Sequence, residues 1–234
     1  MNIKKYIPNS LTCANLLSGC IGIVIVLNGR PEWAAYMVWI AALFDFLDGF
    51  VARMLKVQSP IGKELDSLAD MVTFGVLPAM TIFYLIREGL PFGNNLEEIP
   101  ILPFLSYAGF LLAIFAALRL AKFNIDTRQS DSFIGVPTPA MALFITSLPL
   151  VYNRTGLDWI MNPYFLAIIA VIFSILMVAE IKLLALKFKD FTWANNKLRF
   201  ILIILSLAML VTLGIAAIPL VIILYVTLSA FATK

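Results

Sequence analysis

Apolar residues gather along the chain in runs of helix length. Leu11–Asn28, Trp33–Leu55, Leu68–Ile86, Leu102–Phe123, Pro137–Tyr152 and Pro163–Leu184 are six such runs. A helix needs about 20 apolar residues to cross the hydrocarbon core of a bilayer, so the pattern predicts membrane-crossing helices. The last stretch, Phe200–Thr233, is too long for one comfortable span. Gly214 and Pro219 lie in its middle, where a turn is cheapest, and predict a hairpin of two short helices. The expected fold is therefore an all-α bundle of eight spans; one long kinked helix, giving seven, is the alternative.

Composition agrees with the pattern. Of 234 residues, 62% are hydrophobic and 13% charged, and the mean hydropathy is +0.96. Soluble domains hold roughly 45–50% apolar and about 25% charged residues, so the solvent implied is lipid. The length suits one membrane domain, residues 1–234. Lys4 and Lys5 precede the first apolar run, but its length and the spans after it argue against a cleaved signal.

Charge then orients the chain. With both termini in the cytoplasm, that side receives Lys4, Lys5, Arg53, Lys56, Lys63, Arg119, Lys122, Arg128, Lys182, Lys187, Lys189, Lys197, Arg199 and Lys234. The other side keeps Arg30, Arg87 and Arg154, with Glu88, Glu97 and Glu98 in the 87–100 loop. This asymmetry follows the positive-inside rule. Seven spans would move Lys234 outside. No basic block with interleaved aromatics points to nucleic acid.

Two further counts narrow the chemistry. There is no histidine, so any metal must be held by oxygen. Cys13 and Cys20 share one helical face, too far apart to bridge each other, and read as small buried hydrophobes. Trp33, Trp159 and Trp193 flank spans as aromatic-belt residues do. Glu180 and Lys182 close the sixth run as interfacial anchors.

Four acids break the apolar pattern. Asp45 and Asp48 are three residues apart, and Asp66 and Asp70 four apart. On helices those spacings place each pair on one face. Between them, Ser59-Pro60 predicts a helix start, with serine capping and proline in the first turn. Two helices thus meet at the cytoplasmic face, each presenting two carboxylates. Such charges cost a few kcal/mol each in a membrane, by the order of magnitude of insertion scales, and they repel one another. Divalent cations relieve both costs, and all-oxygen ligands suit Mg²⁺ or Mn²⁺. Gly49, Ala52 and Gly62 leave room for a group to approach, and Arg53 offers a fork for phosphate oxygens. The other readings of the acids are a polar cavity paired with Arg53 and Lys63, or the ion path of a cation transporter.

Asp45, Asp48, Gly49, Ala52, Arg53, Gly62, Asp66 and Asp70 fit D-x2-D-G-x2-A-R-x8-G-x3-D-x3-D at every fixed position. By these residues the chain resembles the CDP-alcohol phosphotransferase family, whose members move a substituted phosphate from a CDP-linked donor to an alcohol and release CMP. The resemblance implies two divalent ions held by Asp45, Asp48, Asp66 and Asp70, with Asp70 also the base for the acceptor hydroxyl. It implies donor contacts at Asn9, Gly49, Arg53 and Ser59. Asn9 belongs to Pro8–Thr12, which looks like the family's approach to its first helix.

The flanks Leu65–Ala79, Arg119–Asn124 and Phe133–Pro139 resemble the phosphatidylserine synthase branch. Ser67 and Met71 stand where the phosphatidylglycerophosphate branch typically has proline and lysine, and Thr138 stands where an apolar residue is expected. The similarity covers residues 7–140, with 141–234 as additional transmembrane helices. It implies transfer of a phosphatidyl group from CDP-diacylglycerol to L-serine at the cytoplasmic face of a multi-pass cell-membrane protein, within a homodimer. Glycerol 3-phosphate or inositol phosphate are the alternative acceptors. Arg119 and Lys122 are candidates for the serine carboxylate; ordinary positive-inside anchoring is their other reading.

Overall fold

The computed structural model describes residues 6–57, 59–89, 102–126, 132–184 and 192–232. Lys4, Lys5, Glu97, Glu98, Arg128, Lys187, Lys189 and Lys234, which enter the charge asymmetry, lie outside the described residues. Helices α1 (Tyr6–Leu27) and α2 (Trp33–Leu55) come first. Then α3 (Pro60–Asp70) runs through a π-helical stretch, Met71–Val76, into α4 (Leu77–Gly89). A short α5 (Leu102–Leu105) and a 3-10 turn lead into α6 (Gly109–Ile125). Strand β1 (Ser132–Ile134) precedes α7 (Thr138–Thr155), and α8 (Pro163–Val178) precedes strand β2 (Lys182–Leu184). Helices α9 (Trp193–Leu213) and α10 (Ala217–Ala232) finish the fold.

Among the described residues, five helical stretches are long and apolar enough to cross a membrane: Tyr6–Leu27, Trp33–Leu55, Pro60–Gly89, Ser106–Ile125 and Asn196–Ala230. Pro163–Val178 is apolar but shorter. The last stretch breaks at Gly214, whose φ of +60° is open to glycine. A 3-10 turn, Gly214–Ala216, separates α9 from α10 there, and the two helices touch.

Helix α7 is buried on every side, from Thr138 to Val151, as suits a helix enclosed by protein. It packs against α2, α4 and α10. Its Met141, Ile145 and Leu148 join Ile82, Ile86, Leu112 and Leu166 in the main core. Helix α1 buries a narrow stripe, Pro8, Thr12, Asn15, Gly19, Gly22 and Val26. Small residues permit close approach between helices where lipid offers no hydrophobic drive to associate. A Cβ on Gly19 would lie 2.9 Å from the Thr73 Cα, so α1 presses directly onto the π-helical stretch after Asp70.

Three expectations need correction. Cys13 and Cys20 are exposed, because the buried stripe of α1 runs along its other side. The sixth helix stops at Val178, so Glu180 and Lys182 lie beyond it. The chain then forms a two-stranded antiparallel ribbon, Ser132–Ile134 on Lys182–Leu184, a β element that the all-α expectation lacked. The ribbon and its flank satisfy backbone groups that α8 leaves open. Gly135 N–H donates to Ile181 O at 2.9 Å, and Val136 N–H to Leu176 O at 2.9 Å. Gly135 has φ +74° and abuts the Met177 and Ala179 carbonyls, a placement that leaves no room for a side chain.

Candidate active site

The α2–α3 connection brings the two acid pairs together. Helix α2 ends on Lys56, in the left-handed region at φ 52°, with its N–H turned back to the Ala52 and Arg53 carbonyls. Ser59 opens α3 in extended conformation, its Oγ accepting from Gly62 N–H at 3.0 Å, with Pro60 in the first turn. This is the predicted cap. The connection is short enough that the end of α2 and the start of α3 stay adjacent, and Asp45 and Asp48 turn toward Asp66. One carboxylate oxygen from each of these three lies within 4.8 Å of the others. Carboxylates this close repel one another, and a cation or a shared proton between them relieves the repulsion.

Helix α1 supplies an outer layer that the sequence reading missed. The Thr12 hydroxyl lies 2.6 Å from Asp48 Oδ2 and 3.1 Å from the Pro8 carbonyl, and its single proton serves the shorter contact. Asn15 Nδ2 donates to Asp70 Oδ1 at 3.1 Å. Thr73, just past Asp70, donates to the Asn15 carbonyl at 3.1 Å. Asp70 stands outside the three-oxygen cluster but within electrostatic range of Asp45, Asp66 and Asp48. A signal existed: Thr12 and Asn15 are polar, three residues apart, inside an apolar run.

These donors fit a divalent cation. All are hard carboxylate oxygens, as Mg²⁺, Mn²⁺ or Ca²⁺ prefer. Among the described residues the buried Asp66 Oδ1 has no hydrogen-bond partner, leaving a lone pair free for a ligand.

A cavity of about 590 Å³ opens beside the cluster. Asn9, Gly49, Arg53 and Ser59, the four expected donor contacts, all line it, with Thr12, Asp48, Ala52, Lys63 and Asp66. Its size is that of a small-molecule site. Gly62 keeps its rim tight: a Cβ there would meet Ser59 Oγ at 2.9 Å and Asn9 Oδ1 at 3.0 Å.

A second cavity, about 330 Å³, lies at the end of α6 and holds both Arg119 and Lys122. Arg119 is only 8% exposed, enclosed by protein at the end of α6. Its Nη1 donates to Thr138 Oγ1 at 3.3 Å, which explains a threonine where an apolar residue was expected. Its guanidinium carbon stands 5.8 Å from the Phe123 ring centre. Its Nε finds no partner among the described residues. Arg119 is also within electrostatic range of Asp70 and Tyr225, and Tyr225 donates to the Leu184 carbonyl at 3.1 Å. Asn124 links the two regions. It donates to Ser67 Oγ at 2.8 Å and accepts from Lys63 Nζ at 3.1 Å through its carbonyl.

The chain matches the CDP-alcohol phosphatidyltransferase family over residues 5–179, which takes in the first cavity whole and the second except for Glu180. It is 37% identical over 178 residues to the CDP-diacylglycerol–serine O-phosphatidyltransferase of Bacillus subtilis (strain 168), covering 76% of this chain and 89% of the relative. The protein of the same name from Helicobacter pylori (strain ATCC 700392 / 26695) is 35% identical over 205 residues, 86% of this chain and 80% of the relative. That of Methanocaldococcus jannaschii is 33% identical over 184 residues, 77% and 76%. The chain belongs to the CDP-alcohol phosphatidyltransferase family.

Proposed function

We propose that this protein transfers the phosphatidyl group of CDP-diacylglycerol to the hydroxyl of L-serine, giving phosphatidylserine and CMP. The observation that carries this reading is the meeting of three carboxylates, Asp45, Asp48 and Asp66, at the edge of a cavity that also holds Arg53, Asn9 and Ser59. The names of the relatives support the donor and the acceptor.

Asp45, Asp48, Asp66 and Asp70 hold two divalent ions, Mg²⁺ or Mn²⁺. When bound, the ions neutralise the charge that develops on the transferring phosphate and the departing CMP. Arg53 and Lys63 bind diphosphate oxygens, while Asn9, Gly49 and Ser59 fit the nucleotide. Asp70 takes the proton from the serine hydroxyl. Asn15 orients Asp70, so the base depends on placement beside the acceptor. Arg119 and Lys122 hold the serine carboxylate. The lipid tails stay in the bilayer while the diphosphate reaches the cavity at the cytoplasmic face. Eight spans with both termini cytoplasmic, in a homodimer, complete the reading.

The test is purified protein with CDP-diacylglycerol, radiolabelled L-serine and Mn²⁺ or Mg²⁺, following label into lipid, with Asp70→Asn alongside. Label that needs the metal and disappears in the variant is expected, as is its loss on chelation. Label from glycerol 3-phosphate or inositol phosphate instead of serine overturns the acceptor. No CMP release with any alcohol overturns the transferase and leaves the cation transporter.

A further inference from the structure

The cavity beside Arg119 is walled by charges of both signs. Arg119, Lys122 and Asp126 come from the end of α6, while Glu180 comes from the turn between α8 and β2. The turn is a built feature. The hydrogen bonds of Gly135 and Val136 tie the chain around β1 to the end of α8 and the residue after Glu180, fixing the backbone that carries Glu180. In the same lining Arg119 is more than nine-tenths buried, and its Nε has no partner among the described residues. A buried guanidinium with an unused N–H calls for an anionic ligand.

A simple anion does not satisfy the rest of the lining. A phosphate monoester would bring about two negative charges against Asp126 and Glu180. A simple cation would face Lys122 and the buried Arg119. A ligand carrying a carboxylate and an ammonium on one carbon matches a lining that holds both signs. Asp126 lies on the same helix end as the two cations and already has a partner of its own. Glu180 joins the lining from a different element, the turn after α8.

We propose that Glu180 binds the α-ammonium of the amino-acid acceptor while Arg119 takes its carboxylate, which makes this cavity selective for a zwitterion. The inference rests on the reading of L-serine as acceptor and adds to it the residue that distinguishes an amino acid from an alcohol phosphate.

The test compares L-serine with 3-hydroxypropionate, which is serine without its ammonium, as acceptors for the Mn²⁺-loaded enzyme with CDP-diacylglycerol. In E180Q the KM for serine rises about ten-fold or more, as expected for loss of a charge-assisted hydrogen bond. Its kcat stays within about two-fold, and the KM for CDP-diacylglycerol does not move. The preference for serine over 3-hydroxypropionate falls by the same factor, while D126N leaves that preference in place. An E180Q enzyme with unchanged serine KM and unchanged preference overturns the role of Glu180 and leaves serine as the acceptor. A wild-type enzyme that ignores serine and uses glycerol 3-phosphate overturns both. Should E180Q lose all turnover, E180D decides: recovery of serine-dependent turnover supports the role, and equal loss overturns it.

Discussion

Asn15 Nδ2 donates a 3.1 Å hydrogen bond to Asp70 Oδ1 across a sequence separation of 55 residues. The amide belongs to the first helix, and the carboxylate ends the segment that carries the acid signature. Asn15 is fully buried, and its main-chain carbonyl accepts from Thr73 Oγ1, which holds the backbone that carries the amide. Its position fixes one oxygen of Asp70. Asn15→Ala is expected to lower kcat by about 10- to 100-fold, the usual cost of removing a residue that orients a reacting or metal-binding group. Both KM values stay within about two-fold. Steady-state kinetics check this, and a change confined to KM would assign Asn15 to substrate binding.

Thr12 plays the corresponding part for Asp48, at 2.6 Å. Thr12→Val keeps the shape and removes the hydroxyl. Mn²⁺ affinity is expected to fall about ten-fold, read by calorimetric titration of Mn²⁺ into metal-free protein without substrate. Thr12→Ser keeps the donor and should restore most of the affinity. Equal binding by all three proteins would leave Thr12 a packing residue only.

Thr138 holds Arg119 through Nη1. Thr138→Val leaves that buried N–H without its partner, at a cost of about 1–3 kcal/mol, seen as a lower melting temperature in detergent. The guanidinium also loses its fixed direction, so the serine KM rises several-fold while the CDP-diacylglycerol KM holds. Arg119→Ala should raise the serine KM further. An Arg119→Ala enzyme with wild-type serine affinity would remove Arg119 from the acceptor site.

Gly135→Ala tests the ribbon as scaffold. At φ +74° a side chain is strained, and here it would also press on backbone at Met177 and Ala179. The strain of such a conformation is about 1–3 kcal/mol, and the backbone contact adds to it. A lower melting temperature with a raised serine KM is expected, because the same turn carries Glu180. Wild-type values of both would show that the ribbon has no hold on the cavity.

Much of this protein is determined by local sequence. Helix-length apolar runs require a bilayer, and Gly214 breaks the last of them where expected. Spacings of three and four set each aspartate pair on one helix face, and the Ser59-Pro60 start of α3 follows from capping alone. These features depend on neighbours within about one turn, so the helix period is enough to read them.

Tertiary structure alone decided which faces meet. A helix that is apolar all round gives no sign of which side is inside, since lipid is as acceptable as protein to its side chains. For that reason Cys13 and Cys20 point outward, while Thr12 and Asn15 turn in to meet carboxylates 36 and 55 residues away. The burial of Arg119 against Thr138, and the gathering of Glu180 into the same cavity, depend on how α6, α7 and α8 end beside one another. No period along a single helix encodes that.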